Sequence, residues 1–353
     1  MLSRGADPKD IIFANPCKSS TFLEYAKTNG IDLMTFDNEE ELAKIQSIYP
    51  GARLVLRIKV DDSNSSIRLG LKFGTDMKNV EHLLRRAKDM NLTVVGIAFH
   101  VGSGCHSKES YVEAIRDSRI AFDLSLKLGF PMSLLDIGGG FPGTQISYDK
   151  QIDGNSPNFE EMAELINQTL SHYYPENDLT IIGEPGRYYC ESAFTLVTKI
   201  TSKNTIQEQN GGKAVMYYLN DGVFGSFLDA VIIKKVYKPI PLLKNNFHLS
   251  LRQVCPTILW GPTCDSYDCI RNDFEMHEMN VGEWLLFEDM GSYSLPYAEY
   301  GFNGMPAPKH KIFISEYAEN CLMKTDVWPK IKSFLADFKW KDIYCEKVWY
   351  QMG

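Results

Sequence analysis

The chain has 353 residues, 44% of them hydrophobic and 23% charged, which is ordinary for a globular protein with one large domain or two moderate ones. Its net charge of −8, without a lysine- or arginine-rich block, argues against nucleic-acid or membrane-surface binding and favours a small or basic partner. No window has the roughly eighteen apolar residues of a spanning helix, and the polar LSRGADPKD after Met1 is unlike a signal peptide, so the sequence predicts a cytoplasmic protein.

Six short apolar runs of strand length alternate with segments of helical periodicity in the first half of the chain. The predicted strands are residues 11–15, 32–37, 53–58, 94–102, 134–140 and 179–186. The predicted helices are Thr21–Thr28, Glu39–Ile48, Met77–Met90, Ser110–Leu128 and Phe159–Tyr173. Apolar strands separated by helices favour a parallel sheet covered on both faces, either doubly wound or closed as a barrel.

After about residue 193 strand-like alternation with turn residues replaces the helical periodicity, until a helix predicted at Val327–Phe338. The strand-like runs are residues 193–201, 204–222, 249–262 and 281–291. We therefore expect a barrel-type domain at residues 1–192, a mostly antiparallel β domain at 193–312 and a tail at 313–353.

Polar and glycine residues follow the apolar runs at their C-terminal ends, where parallel sheets and barrels build their sites. The segment DIGGGFPG at 136–143 can hold a phosphate on its backbone N–H groups, or it is an ordinary turn. The segment EPGRYY at 184–189 offers a carboxylate and an arginine, or it is a surface turn with an ion pair. Two phosphate-competent strand ends in succession favour a phosphorylated cofactor.

The histidine at position 100 follows an apolar run in FHVGSGC at 99–105. It is either a hydrogen-bonded structural residue or a ring that stacks on an aromatic cofactor. The eight cysteines are scattered, without a CxxC pair or His/Cys ligand spacing, so we predict neither a disulfide framework nor a metal site.

Eight motifs occur in the order and roughly the spacing of the ornithine decarboxylase family, a group of pyridoxal-phosphate-dependent decarboxylases that the chain resembles from about Asp7 to Gly304. The motifs are RLVLRI, LKFG, FHVGSGC, LDIGGGFPG, EPGRYY, YYLNDGVFGSF, WGPTCD and VGEWLLFEDMGSYS. The resemblance implies an α/β fold: a pyridoxal-phosphate-binding (β/α)8 barrel of the alanine-racemase-like type, followed by a mostly antiparallel β domain. Eight βα units close such a barrel and six are counted, so we expect the first two to be absent here. The tail from about Pro306 does not share the resemblance.

The resemblance implies a role for each matching residue around pyridoxal 5′-phosphate. Glu184 would face the pyridine nitrogen, His100 would stack on the ring and Arg57 would lie behind it. The phosphate would be held by Ser103, Gly138, Gly139, Gly140, Gly186, Arg187 and the hydroxyl of Tyr293. Cys264 would be the catalytic proton donor and Asp265 would contact the substrate's distal amine, both supplied across a homodimer interface.

Two departures from the family pattern alter what we expect of the chain. The family's lysine, which anchors the cofactor as a Schiff base, lies in a strand resembling FYAVKCN, and these 353 residues contain no such motif. The chain as written is therefore expected to bind the cofactor poorly and to be inactive by itself. Ile233, in AVIIKK, stands where ornithine enzymes carry an acidic residue that pairs with the substrate's terminal ammonium. Loss of one partner of such a pair costs ~2–5 kcal/mol, so a neutral aliphatic amino acid such as leucine becomes an expected substrate.

Three functional classes stay open. The first is an amino-acid decarboxylase, which belongs to polyamine biosynthesis if the substrate is ornithine. The second is a regulator like the family's antizyme inhibitors, which keep the fold and lose catalysis; the intact EPGR, GGG, Cys264 and Tyr293 favour the enzyme. Lys18 is kept in the family's antizyme-binding segment, but Glu24 and Gly51 stand where lysines are usual, so antizyme binding is expected to be weakened. The third is a nonfunctional truncated product.

Overall fold

The computed structural model of the chain describes residues 1–143, 156–175, 178–207, 212–243, 247–298, 301–309, 311–336 and 343–345. Within these residues the chain forms two compact units. The first contains Met1–Phe194 and Asp289–Ser292, and the second contains Thr195–Glu288 and the described residues from Tyr293 onward. The first unit is therefore discontinuous in sequence.

The first unit is built on a parallel sheet. Its six strands are β1 Ile12–Phe13, β2 Leu33–Phe36, β3 Arg53–Arg57, β5 Thr93–Ala98, β7 Leu134–Asp136 and β8 Thr180–Ile182, and two short strands outside it are β4 Ser65–Ile67 and β6 Ser103–Cys105. The order in the sheet is β1-β2-β3-β5-β7-β8 and every pairing is parallel, whereas β4 and β6 pair antiparallel with each other. This order follows the sequence, as expected of successive βα units, and confirms the predicted parallel βα fold.

Helices follow most of these strands, and three of them begin at polar capping residues. They are α1 Ser20–Thr28, α2 Glu39–Ile48, α3 Val80–Asp89, α4 Glu109–Lys127, α5 Phe159–Tyr173 and the short α6 Gly186–Cys190. The side chains of Ser19 and Asn38 accept backbone N–H bonds at the starts of α1 and α2, and Asn158 with Glu161 forms a capping box at α5. The helix bounds predicted from the sequence lie within a few residues of these.

The parallel sheet is apolar on both faces because alternate residues of each strand point to opposite sides. Leu54 and Leu56 of β3 belong to the large cluster that the helices cover, and Val55 between them belongs to a smaller cluster on the other face. This arrangement explains why the strands read as continuous apolar runs. It also leaves their C-terminal ends as the place where polar residues can collect.

Three of the strands end four residues earlier than predicted. β5 ends at Ala98, β7 at Asp136 and β8 at Ile182, instead of at 102, 140 and 186. The chain turns away from the sheet because glycines such as Gly138, at φ +65°, adopt left-handed backbone conformations that interrupt a strand. The predicted site residues His100, Gly138 and Glu184 therefore lie in the loops that follow these three strands.

The second unit is built on a six-stranded mixed sheet. Its strands are β9 Leu196–Gln207, β10 Lys213–Leu219, β11 Ile240–Leu242, β12 Val254–Trp260, β13 Cys269–His277 and β14 Trp284–Phe287, in the order β11-β14-β9-β10-β12-β13. Four pairings are antiparallel and that of β10 with β12 is parallel, which confirms the predicted mostly antiparallel β domain. The remaining elements are α7 Asp229–Ile232, α8 Phe247–Ser250, β15 Ile312–Ile314, α9 Glu316–Leu322, α10 Trp328–Ala336 and β16 Ile343–Cys345.

Several of these elements were not predicted, among them β13 and α9. β13 has few apolar residues, and its charged side chains hide the strand alternation in the sequence. α9 is a short helix that starts at the capping residue Ser315. Across the ranges that the structure describes, no helix is long and apolar enough to cross a membrane. The same described ranges hold no cluster of His, Cys, Asp or Glu arranged to bind a metal ion.

Candidate active site

His100 lies in the loop after β5 and carries a largely buried imidazole. Its Nδ1 accepts the backbone N–H of Gly102 at 3.0 Å, which places the proton of the neutral ring on Nε2. Burial, with the positive charge of Arg57 as a second cause, lowers the pKa of His100 to about 4. The ring is therefore uncharged at neutral pH, as a surface that packs against an aromatic ligand should be.

A glycine of the DIGGGFPG segment packs directly on this histidine. A Cβ at Gly139 would lie 2.9 Å from His100 Nε2 and 2.8 Å from the carbonyl oxygen of Glu184. At Gly138 a Cβ would lie 2.2 Å from the carbonyl oxygen of Phe99. The glycines thus allow the loops after β5, β7 and β8 to approach one another closely.

Charged groups meet at the ends of β3 and β7 and in the loop after β8. Burial and the negative charge of Glu184 raise the pKa of Asp136, at the end of β7, to about 8. Burial lowers the pKa of Arg57, at the end of β3, while Glu184 and the other nearby carboxylates Asp37, Asp136 and Asp62 oppose that shift. Perturbed groups in such a cluster are typical of functional sites. Asp136 was not among the site residues predicted from the sequence, although it lies two residues before the three glycines.

Arg187 lies in α6, and its side chain is buried. Its Nη1 donates to Ser292 Oγ at 2.9 Å and to Glu191 Oε1 at 3.1 Å, and its Nη2 lies 3.5 Å from Ser103 Oγ. The structure thus brings together the predicted residues Ser103 and Arg187. Glu191 and Ser292 were not among the site residues predicted from the sequence. Glu191 had a signal in its position four residues after Arg187, the spacing of an ion pair on one helix face.

Cys264 is exposed on a turn of the second unit that a buried aspartate fixes. Asp268 accepts the backbone N–H of Val223 at 2.7 Å and both the N–H and the hydroxyl of Thr263, at 2.9 and 2.7 Å. The side-chain amide of Asn303 donates to Cys264 Sγ at 3.1 Å. Neither Asp268 nor Asn303 was among the predicted site residues, and both position the segment that carries Cys264.

Asp265 and Ile233 lie on separate turns of the second unit. Asp265 is half-buried, and its Oδ1 accepts the backbone N–H of Tyr267 at 2.8 Å. Ile233 caps α7, is half-buried and is followed by the exposed Lys234 and the buried Lys235. The surroundings of Ile233 along the chain are therefore apolar and cationic.

Tyr293 has a left-handed backbone at φ +53°, and its ring centre lies 5.5 Å from that of Tyr297. A cavity of about 20 Å³ in the same unit is lined in part by Asp221, Phe224 and Phe302. A volume of this size holds about one water molecule. It does not accommodate an amino-acid substrate.

A family model described as the pyridoxal binding domain of pyridoxal-dependent decarboxylases matches residues 1–191. The chain belongs to the pyridoxal-dependent decarboxylase family. Antizyme inhibitor 2 from Xenopus laevis is 45% identical over 315 residues, covering 87% of this chain and 66% of the relative. Ornithine decarboxylase from Rattus norvegicus is 43% identical over 318 residues, covering 86% of this chain and 66% of the relative. The chain therefore spans about two thirds of the length of these relatives.

A solved structure shares the fold. The arginine decarboxylase of Paramecium bursaria Chlorella virus, solved bound to agmatine, superposes with a TM-score of 0.78 at 33% identity, covering 86% of this chain and 78% of that chain. The predicted family, fold and cofactor, pyridoxal phosphate, are confirmed.

The residues at the strand ends fit this cofactor. His100 offers a neutral ring, Arg187 and Ser103 offer phosphate donors, and a Cβ at Gly186 would meet nothing within 4 Å, so there is open space beside Arg187.

Proposed function

We propose that the protein to which these residues belong decarboxylates an amino acid, releasing an amine and carbon dioxide. The observation that carries this proposal is the cluster of perturbed groups on neighbouring strand ends, with His100 held neutral and Asp136 held protonated by burial. When bound, pyridoxal phosphate supplies an electron sink for the electron pair left by the departing carbon dioxide.

The chain's own residues hold and orient the reactants in this proposal. His100 would pack against the cofactor ring, Arg57 would support it electrostatically and Glu184 would keep a proton on the pyridine nitrogen. The residues that would hold the phosphate are Ser103, Gly138, Gly139, Gly140, Gly186, Arg187 and Tyr293. Cys264 delivers a proton to the product carbon, and the amide of Asn303 fixes the direction of the thiol.

A homodimer with shared sites is part of the proposal, because the family resemblance implies that Cys264 and Asp265 act across a subunit interface. Cys264 is exposed and Asp265 is half-buried in the chain, so both are accessible to a second copy.

The substrate we propose is a neutral aliphatic amino acid such as leucine, decarboxylated at least as well as ornithine. Ile233 offers no charge to an ammonium group, and Lys234 and Lys235 follow it directly. A desolvated ammonium that keeps only Asp265 as a partner loses much of its binding advantage, whereas an apolar side chain packs against Ile233 without that cost.

The test is carbon dioxide release from carboxyl-labelled leucine and ornithine. The chain is joined to the N-terminal segment of rat ornithine decarboxylase, which brings the lysine-bearing strand, and is supplied with pyridoxal phosphate. Ile233→Asp is expected to raise the ornithine-to-leucine ratio of kcat/KM by about tenfold or more. Val231→Asp, which adds the same charge two residues earlier at an exposed position, is the matched control and is expected to leave the ratio unchanged. A preference for ornithine that Ile233→Asp does not alter contradicts the substrate proposal.

The second candidate is a regulator of polyamine metabolism that binds antizyme, favoured by the 45% identity to antizyme inhibitor 2. The structure reduces the charge available for such binding, because Lys18 is 3% exposed and its Nζ donates to the Thr35 carbonyl at 2.6 Å and pairs with Glu41 at 2.8 Å. Glu24 and Gly51 are exposed and bring no positive charge. Tight antizyme binding together with no carbon dioxide release from any amino acid would establish this candidate over the enzyme.

A further inference from the structure

The guanidinium of Arg187 is engaged by an anion from the chain itself. The side chain of Arg187 is 5% exposed and that of Glu191 is 1% exposed, and Nη1 lies 3.1 Å from Glu191 Oε1. Both residues belong to the first unit, as do Ser103 and Ser292. A carboxylate thus occupies one donor of the arginine on which the proposed phosphate site depends.

Contacts on other sides fix the Glu191 carboxylate in this place. The hydroxyl of Ser292 donates to Glu191 Oε1 at 3.1 Å and itself accepts from Arg187 Nη1 at 2.9 Å, so the three side chains form a closed triangle. A Cβ at Gly143 would lie 2.3 Å from Glu191 Oε2, so the end of the DIGGGFPG segment packs against the other oxygen. Glu191 has no room to turn toward Gly143.

The electrostatic consequence is competition between two anions for one cation. The charge of a carboxylate in contact with Arg187 cancels that of the guanidinium, and the pair is shielded from water on nearly all sides. A phosphate group that approaches Nη2 and Ser103 meets a site that is already neutral, with a second negative charge beside it. Like charges repel strongly where solvent is excluded, and sites use such repulsion to reject ligands.

We propose that Glu191 is an internal competitor that weakens the binding of phosphate-bearing ligands at Arg187. This rests on the proposed function, since it takes Arg187 and Ser103 as the phosphate site. Glu191 is then a residue that sets cofactor affinity through charge. Its carboxylate, and not merely its volume or its hydrogen bonds, determines the effect.

The experiment measures binding of pyridoxamine 5′-phosphate to the full chain by isothermal titration calorimetry. This probe carries the phosphate but no aldehyde, so it cannot form an imine with protein lysines. Pyridoxamine, the same ring without phosphate, is the matched ligand. The variants are Glu191→Gln, which keeps the shape and an accepting oxygen but removes the charge; Glu191→Asp, which keeps the charge; and Arg187→Met.

A control variant removes an equivalent charge elsewhere in the first unit. Glu81 pairs with Arg85 at 2.6 Å with the same four-residue separation, but both side chains are more than half exposed, at 51% and 61%. Glu81→Gln is expected to leave affinity unchanged. Circular dichroism measures the folded fraction of each variant, and the binding of that variant is corrected for this fraction.

Glu191→Gln is expected to bind pyridoxamine 5′-phosphate at least about tenfold more tightly than the unmutated chain, with no matching change for pyridoxamine. Glu191→Asp is expected to remain as weak as the unmutated chain. Equal affinity of the unmutated chain and Glu191→Gln, with loss of binding in Arg187→Met, overturns this inference and leaves the proposed phosphate site intact. Binding that Arg187→Met does not weaken, or no binding by any of the chains, overturns the proposed site and the inference together.

Discussion

The groups at the strand ends of the first unit and the Arg252–Glu283 pair of the second unit have pKa values shifted by opposite effects. At the strand ends of the first unit, burial dominates, so that the pKa of Asp136 rises to about 8 and that of His100 falls to about 4. Pairing dominates between Arg252 and Glu283, next to β12 and β14 of the second unit: hydrogen bonds from Arg252, at 2.6 and 2.7 Å, lower the pKa of Glu283 to about 2. Burial favours neutral forms and partners favour charged ones. Burial therefore disfavours the charged forms of His100 and Asp136 at the candidate site, whereas pairing stabilises the charge of Glu283.

The largest expected effect comes from breaking the buried ion pair. Arg187→Met leaves Glu191 buried without its guanidinium and should reduce the free energy of unfolding by about 3–5 kcal/mol. The double variant Arg187→Met with Glu191→Met should recover most of that loss, because neither charge remains to be desolvated. Urea unfolding measures both.

The corresponding substitution in the second unit is Arg252→Met, which removes the arginine of a less buried ion pair. Arg252 and Glu283 are each about a fifth exposed, and Arg252→Met should cost only about 1 kcal/mol. Similar losses for Arg187→Met and Arg252→Met would show that the two units do not differ in this respect.

A smaller effect is expected at Asp136 and depends on pH. The carboxyl has a folded-state pKa of about 8 and an unfolded value near 3.8, so its contribution to stability is complete below pH 3.8 and is lost as pH rises toward 8. Asp136→Asn removes the buried charge and should therefore be more stable than the unmutated chain at pH 8, by on the order of 1–3 kcal/mol. The gain should vanish near pH 4.

The pKa of Asp32, also in the first unit, is shifted in the opposite direction to that of Asp136. The hydrogen bond from Arg53 holds the pKa of Asp32 below its usual value, so its contribution is present above that value and is lost on acidification. Asp32→Asn should lower the unfolding temperature at neutral pH and have no effect in strong acid. If the effects of Asp136→Asn and Asp32→Asn on stability changed with pH in the same way, the opposite pKa shifts of Asp136 and Asp32 would be contradicted.

The smallest effect is expected for a partly exposed carboxylate of the second unit. Glu278 pairs with Lys203 at 2.7 Å and with Lys213 at 3.1 Å, and these hydrogen bonds lower its pKa. Glu278→Gln should cost less than about 1 kcal/mol, and salt should remove most of that cost. Thermal unfolding at low and high ionic strength checks this; a cost that salt does not reduce would indicate a role other than charge pairing.

More of the fold than of the candidate site could be predicted from the sequence. Apolar runs separated by helical periodicity gave the parallel strands, because burial on both faces requires such runs. Their ends were misplaced, since the left-handed backbone at Gly138 depends on the approach of Phe99 and His100 from another strand. β13 was missed because its charged side chains obscure the alternation.

The local sequence indicated which residue types lie at the site, but not which residues they form hydrogen bonds with. That Ser103 lies near Arg187 was expected only through the family resemblance. Ser292 reaches Glu191 across 101 residues of sequence, and Asp268 reaches Val223 across 45. Such long-range hydrogen bonds leave no periodic signal in the chain, so the triangle of Arg187, Glu191 and Ser292 could be found only in three dimensions.

The central claim is that the loops after β5, β7 and β8 form a pyridoxal-phosphate site around a neutral His100. The most direct test is the proton NMR resonance of the His100 imidazole, assigned with His100→Gln, as pyridoxamine 5′-phosphate is added to saturation at neutral pH. The account predicts an upfield displacement, since a ring stacked on His100 shields its protons, in a histidine that titrates near pH 4. A His100 resonance that the saturating ligand leaves unmoved would contradict the account.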